Sequence, residues 1–408
     1  MLFLNPRKIT EIANKYDSCD NRKRKLTLML YVLFTIFSSA IEEKGSYLPQ
    51  IVTELTRNFD IGITKQAVSK QMVNKRSWKI FRAIFCCLEN TRHNNGKIDK
   101  ETLSILKGFK DILIADSSSF KAFKTLLKKY PSVHKDVAGC KLNTLFSLSD
   151  FCTIKAKVVA QKIHDNNFDF ITLQKNVLYL FDLGYWSYKT FQKINARKSY
   201  FVSRLKSGCN PLIQSVNGDI THEFVGKKLS EVKKYFKDNT IDLTVKLFGV
   251  DDELRIVGLL YDHTWYLYIT NVFDKEMTPQ IIHDVYRIRW QIELFFKWIK
   301  TYLNGKQLCM RTDNSLLTEI YATLIYCLIV VILVDDARKS DTPIQEYSVP
   351  KAINIIKKYS MVLLESIFYR DKSKLRALLS NLSKSLQIKA RKDKHPKDNA
   401  LLSNSKNS

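Results

Sequence analysis

Asp116 closes the run Asp-Ile-Leu-Ile-Ala-Asp and Asp182 closes the run Val-Leu-Tyr-Leu-Phe-Asp, so each carboxylate follows an apolar segment and precedes a polar turn. An acid at the carboxyl end of a strand is held by a rigid frame and still reaches solvent, as a hard divalent cation requires of its ligand. Taken singly, an Asp in such a place is more often a turn former or a helix cap than a ligand. A third carboxylate, Glu293, lies in Tyr-Arg-Ile-Arg-Trp-Gln-Ile-Glu-Leu-Phe-Phe-Lys-Trp-Ile-Lys, residues 286–300. On a helix at about 100° per residue, Tyr286, Arg289, Glu293 and Lys300 fall within about 60° of one another, with Lys297 in the same stripe. Ile288, Leu294, Phe295, Trp298 and Ile299 fall opposite, so the helix can bury its back. The segment alone leaves two readings open: a functional face, or a solvated helix with Arg289–Glu293 and Glu293–Lys297 ion pairs.

The elements that must position these groups are legible as changes of texture. Short β-rich runs occupy 112–115, 140–148, 153–160, 177–181 and 200–205. Residues 165–173 begin or precede one connecting segment, and 189–197 have the composition of a helix. Three strands in succession followed by alternation predict an α/β fold, a mixed sheet with flanking helices. Residues 207–274 hold Gly218, Gly226, Gly249 and Gly258 among alternating runs and read as a mostly β insertion. After Pro279 the chain turns helical to about 384, and residues 389–408 are basic, polar and expected to be disordered. The first hundred residues read as a separable helical region. Within it, residues 48–59, a turn at Gly62 and residues 64–74 capped by Thr64 outline a helix-turn-helix. Its second helix presents Lys65, Gln66, Ser69, Lys70 and Gln71, side chains suited to a major groove, although any two short amphipathic helices share the outline.

Composition bounds the function. A length of 408 residues suggests two or three domains, and 45% hydrophobic residues places the chain among proteins with a packed core. The 66 Lys and Arg against 40 Asp and Glu leave a net charge of +26, a field that attracts polyanions and favours salt-dependent binding to nucleic acid. An anionic membrane surface is the competing partner. The apolar runs at 26–41 and 321–334 are both shorter than the roughly 20 residues of a bilayer span, and buried helices are the expectation, with no membrane. Residues 26–41 also lie too far from the terminus for a secretion signal. The eight cysteines offer no C-x-x-C pair, which predicts reduced thiols and a cytoplasmic protein.

The segment at 286–300 resembles the Tyr-x2-Arg-x3-Glu-x6-Lys signature of bacterial insertion-sequence transposases of the IS-four type, flanking Arg-Trp and Phe-Lys pairs included. In that family an RNase H-like sheet carries one Asp on its first strand, a second after its fourth and a Glu on a later helix. Asp116, Asp182 and Glu293 take those places, and the block at 207–274 fills the gap where the family inserts a β domain. The resemblance runs from about 111 to 334 and implies two Mg²⁺ or Mn²⁺ ions, Asp116 bridging both while Asp182 and Glu293 each hold one. It implies phosphate contacts from Tyr286, Arg289 and Lys300, double-stranded DNA ends and target as partners, and a homodimer in the DNA complex. Trp265 in the insertion could stack on an unpaired base, although an aromatic on a sheet is more often core.

The domain plan is then a helical DNA-binding region at 1–100, an RNase H-like core at 108–206 and 276–335, the insertion at 207–275, a helical region at 336–384 and a basic tail at 385–408. The expected activity is cut-and-paste transposition, a nuclease and strand transferase in one chain, nucleoid-associated in a bacterial cytoplasm. The alternatives are an RNase H-like nuclease or resolvase without strand transfer, and a non-catalytic DNA-binding derivative.

Overall fold

The computed structural model describes residues 6–16, 26–38, 47–92, 108–164, 171–217, 222–236, 239–248, 252–302, 308, 310–338, 342 and 344–392. In chain order these form helices α1 (Pro6–Tyr16), α2 (Leu28–Ser38), α3 (Tyr47–Phe59), α4 (Lys65–Val73) and α5 (Ser77–Arg92). Strands β1 (Asp111–Lys121), β2 (Gly139–Ser147), β3 (Cys152–Ala160) and β4 (Val177–Phe181) follow. Next come α6 (Tyr188–Ala196), β5 (Tyr200–Arg204), β6 (Leu212–Val216), the short α7 (Leu229–Val232), β7 (Thr240–Lys246), β8 (Leu254–Tyr261) and β9 (Thr264–Thr270). The chain ends in α8 (Pro279–Arg287), α9 (Trp290–Tyr302), α10 (Asp313–Ala337), α11 (Val349–Phe368) and α12 (Lys372–Lys389). Most of the segment at 165–173 and the tail beyond 392 lie outside the described residues.

Two units divide the chain. One comprises Met1–Thr91, Lys97–Asp99 and Asn314–Ser408; the other Arg92–Gly96 and Lys100–Asp313. In the first, helices from both ends of the sequence share a core. Phe59 of α3 stacks on Tyr369 with centroids 6.1 Å apart and meets Phe368 edge-on at 5.2 Å. Phe85 of α5 lies against Tyr321 of α10, and Phe37 of α2 against Tyr326. The N-terminal helices therefore do not stand alone as a region at 1–100; their apolar faces are covered by helices more than 200 residues later. The apolar run at 321–334 is the centre of the 25-residue α10, long and apolar enough to cross a membrane, yet almost all of its apolar window is buried among the protein's own side chains. The helix-turn-helix outline takes shape as α3 and α4, with the Thr64 hydroxyl capping α4 through the Ala67 N–H at 3.3 Å. Lys65, Gln66 and Lys70 are exposed, whereas Val68 and Met72 are buried.

The second unit is a nine-stranded mixed sheet in the order β3-β2-β1-β4-β5-β9-β8-β7-β6. β1 pairs antiparallel with β2 and parallel with β4, and β4 pairs parallel with β5, which is the RNase H-like arrangement. The insertion does not form a separate layer. β9 runs antiparallel to β5 through Val202↔Thr270, Ser203↔Ile269 and Arg204↔Tyr268, extending the same sheet and covering what would otherwise be an open edge. A buried ion pair holds the insertion together. Arg255 on β8 donates to both carboxylate oxygens of Asp242 on β7 at 2.8 and 2.6 Å, and to the carbonyls of Val272 and Asp274.

Two sequence expectations are corrected here. β1 does not end at residue 115; it runs to Lys121, because Ser117–Ser119 keep pairing with Lys141–Asn143 of β2 and Phe120 anchors the far end at 2% exposure. The stripe segment is not one helix. α8 ends at Arg287 and α9 starts at Trp290, with i→i−3 hydrogen bonds from Arg289 N to Tyr286 O and from Ile292 N to Arg289 O marking a tighter turn between them. The break lets α8 pack on β5 and the insertion strands while α9 lies along β1.

Candidate active site

Strand register brings the first two carboxylates together. The parallel ladder ends at Ala115↔Phe181, so Asp116 and Asp182 are the next residues on adjacent strands, about 4.8 Å apart in the pairing direction. Ile112, Ile114 and Asp116 share a face of β1 with Leu178, Leu180 and Asp182 beside them, since partners in a parallel register project the same way. Asp116 is mid-strand for β2, opposite Thr144, but terminal for β4. Asp182 occupies the N-cap position of a 3₁₀ turn at Leu183–Tyr185, yet its side chain makes no capping hydrogen bond. Its carboxylate is therefore not explained by capping.

Helix α9 lies over that same face. Phe295 contacts Phe146, the β2 partner of Ile114, at 5.7 Å, and the Lys300 ammonium sits 5.8 Å from the Phe120 ring. This places Glu293 above the strand ends. Arg289, in the turn before α9, links the groups: Nη1 donates to Asp116 Oδ2 at 3.0 Å and Nη2 to Glu293 Oε1 at 2.5 Å. Its Nε is buried without a partner. Asp116, Asp182, Arg289, Glu293, Lys297 and Lys300 line one cleft of about 490 Å³, together with Ser117, Ser118, Phe296 and Thr301.

Burial dominates the electrostatics. Desolvation pushes the Asp116 carboxyl up to about 6; the Ser117 N–H and Arg289 pull it down, and the charges of Asp182 and Glu293 push it up again. Arg289 is held further toward its charged form: burial opposes this, but Tyr286, Asp116, Glu293 and Asp182 outweigh it.

The other sequence-predicted site residues divide. Tyr286 is 6% exposed, and its hydroxyl donates to the carbonyl of Phe181 at 3.1 Å, so it braces the strand end that carries Asp182 and does not line the cleft. Its ring packs on Tyr268 of β9 at 4.9 Å, which ties the insertion to the site. Trp265 lies on β9 opposite Leu260 and is not part of the cleft lining. Trp290, the second member of the Arg-Trp pair, is 58% exposed and is not part of the cleft lining. Lys65 and Lys70 lie on α4 in the helical unit. Phe296 of the Phe-Lys pair also lines the cleft, as do Ser117, Ser118 and Thr301, which sequence reasoning missed; Ser118 had a signal, being two residues beyond Asp116 on the same strand face.

The donor set suits a hard cation, since all three acids offer oxygen. Among the described residues no group of three or more Asp, Glu, His or Cys side chains converges to hold one ion. Asp116, Asp182 and Glu293 nevertheless line one cleft, and Mg²⁺ is commonly bound through one or two carboxylates with water and substrate oxygen completing its shell. A cationic guanidinium already stands between Asp116 and Glu293, so that place accepts positive charge.

Two aspartates at neighbouring strand ends and a glutamate on the covering helix thus form one carboxylate cluster on an RNase H-like sheet. The Transposase DDE domain family matches residues 107–329, more than half the chain, and the chain belongs to that family. It is similar along most of its length to insertion-sequence transposases. The transposase of IS1151 from Clostridium perfringens is 23% identical over 428 residues, covering 91% of this chain and 88% of that protein. The transposase of IS231B from Bacillus thuringiensis subsp. berliner is 23% identical over 439 residues, covering 95% and 90%. A piggyBac transposase synaptic complex with hairpin DNA superposes with a TM-score of 0.46 at 10% identity, over 96% of this chain and 84% of that one. At that level of likeness the fold assignment rests on the sheet itself.

Proposed function

We propose that this chain cuts the ends of its own element in double-stranded DNA and joins them to target DNA, in cut-and-paste transposition. The observation that carries the reading is the cleft in which Asp116 and Asp182, neighbours by strand register, face Glu293 across Arg289. In this reading water attacks the scissile phosphorus, the P–O3′ bond breaks and the 3′ oxygen leaves with a proton. The freed 3′ hydroxyl then attacks a target phosphorus in the same geometry and displaces a second 3′ oxygen. Asp116, Asp182 and Glu293 are the residues that would hold Mg²⁺ or Mn²⁺, which would activate the attacking oxygen and neutralise charge on the leaving one.

The protein's own groups orient and hold. Lys297 and Lys300, which line the same cleft as the three carboxylates, bind the phosphates that flank the scissile bond. Tyr286 keeps the Phe181–Asp182 strand end in place. Lys65 and Lys70 on the exposed side of α4 take part in recognising element ends. The net charge of +26 supports long-range attraction to DNA. We place the protein in the bacterial cytoplasm with the nucleoid, working as a homodimer on paired ends.

Replacing Asp116, Asp182 or Glu293 by its amide removes an anionic ligand at nearly constant shape. Cleavage of a labelled element end in Mg²⁺ is expected to fall about a hundred- to a thousandfold, by analogy with the loss of a key electrostatic group, while DNA binding persists. Any of the three variants cutting at near the parent rate sinks the assignment, and cutting by the parent without joining to target DNA reduces it to a nuclease.

A further inference from the structure

Arg289 occupies an unusual seat for a phosphate-gripping or purely structural arginine. Its guanidinium is 16% exposed and spends one N–H group on each of two carboxylates from different elements, Asp116 of β1 and Glu293 of α9. It pairs with neither through a two-bond fork, and its Nε stays buried without a partner. An arginine in its best resting place uses Nε, because a buried donor left unmade is costly. The oxygens it touches, Asp116 Oδ2 and Glu293 Oε1, belong to the two acids that would share one divalent cation.

A Mg²⁺ or Mn²⁺ ion bound to both would stand about 2.1 Å from each oxygen. The N–H groups of Arg289 now point into that space from 3.0 and 2.5 Å. Two cations cannot both fill it without losing more to mutual repulsion than either gains. We propose that Arg289 is a positioning residue that holds the place of the divalent cation between Asp116 and Glu293 in the metal-free protein, and is displaced when the metal enters. Without it, the acids contributed by β1 and α9 repel and the cleft loosens. Once released, the side chain can turn Nε and one Nη together onto a phosphate oxygen pair, the planar fork that its resting seat denies it. Metal loading is thereby coupled to the appearance of a phosphate grip in the same cleft.

This inference rests on the metal-dependent reading above, and the test separates the two. Mn²⁺ is titrated calorimetrically into the full-length protein without DNA, for the parent and for R289Q, R289K, D116N and E293Q. Removal of the competing guanidinium is expected to tighten Mn²⁺ binding about tenfold or more in R289Q, and Mn²⁺ should raise the melting temperature of R289Q further than that of the parent. R289K keeps the charge but not the fork, cannot span both oxygens, and is expected to tighten severalfold. If R289Q tightens and R289K matches the parent, only net charge is at work and displacement is wrong. An affinity for Mn²⁺ equal to or below the parent's in both Arg289 variants also overturns it. Should R289Q fail to fold in EDTA, R289K decides by the same titration. If D116N and E293Q bind Mn²⁺ as the parent does, the metal site itself is wrong; if they lose it while both Arg289 variants are unchanged, the metal reading survives and the inference alone falls.

Discussion

Asp116 is a carboxylate that folding places where it does not want to be charged. Its pKa rises from 3.8 to about 6, with burial as the leading cause. Its side chain is only 15% exposed, so solvent screens little of the effect. The sign follows from linkage: between about pH 4 and 6 the native state binds this proton and the unfolded chain does not, so stability falls as pH rises through that window. At about 1.4 kcal/mol per tenfold change in proton affinity, the ionised group costs the metal-free protein ~3 kcal/mol above pH 6. Asp116→Asn replaces it with a neutral group of the same shape and is expected to recover that amount. For a unit of roughly 200 residues this is a rise of about 6–12 °C in melting temperature. The assay is calorimetry of the parent and Asp116→Asn in EDTA from pH 4 to 8. The two should melt together near pH 4, where both side chains are neutral, and diverge as pH rises to 7, the variant remaining higher. A difference that stays constant across the range, or a variant that loses ground with rising pH, refutes the electrostatic account of this site.

Three further outcomes are expected. Lys297→Gln and Lys300→Gln should each weaken end-DNA binding and flatten the log-affinity against log-salt slope by about 1, as expected for one lost phosphate contact, whereas Lys65→Ala and Lys70→Ala should reduce the preference for element ends over random duplex; identical salt titrations for parent and cleft variants would return Lys297 and Lys300 to a solvated helix face. In the insertion, Arg255→Leu strands the Asp242 carboxylate among buried strands and should cost about 3–5 kcal/mol, most of it recovered in the double variant Asp242→Leu/Arg255→Leu; urea unfolding of the single variant within 1 kcal/mol of the parent would show the pair to be dispensable.

The sequence by itself determined the strands and the candidate acids. Runs such as Val-Leu-Tyr-Leu-Phe before Asp182 can be satisfied only by burial on both faces of a sheet, and the polar residues that follow mark where burial ends. The spacing of Arg289, Glu293, Lys297 and Lys300 survives in the structure because all four stay within one turn and one helix, where local geometry dictates direction. Tyr286 departs from that stripe. Periodicity assumes an unbroken axis, and the break at Ile288–Arg289 turns Tyr286 into the core against Tyr268 and Phe181, a choice made by what the sheet offers to α8. The extent of β1 was likewise decided by its partner: three serines carry no strand signal, but β2 supplies the hydrogen bonds that keep them extended.

Larger choices of the same kind lay beyond local pattern. Nothing in 207–275 announces that β9 will pair with β5, since a three-residue ladder between distant segments leaves no periodic trace. The apolar run at 321–334 gave its burial but not its partners, and Phe37 and Phe85, which meet α10, are more than 200 residues away in the chain. The closeness of Asp116 to Asp182 depends on parallel register, and their relation to Glu293 on how α9 lies over β1. Side-chain type and strand direction are written in short-range order, which sequence carries. Register, helix breaks and packing partners are settled by burying surfaces from remote segments together, and that free energy exists only once the chain has folded.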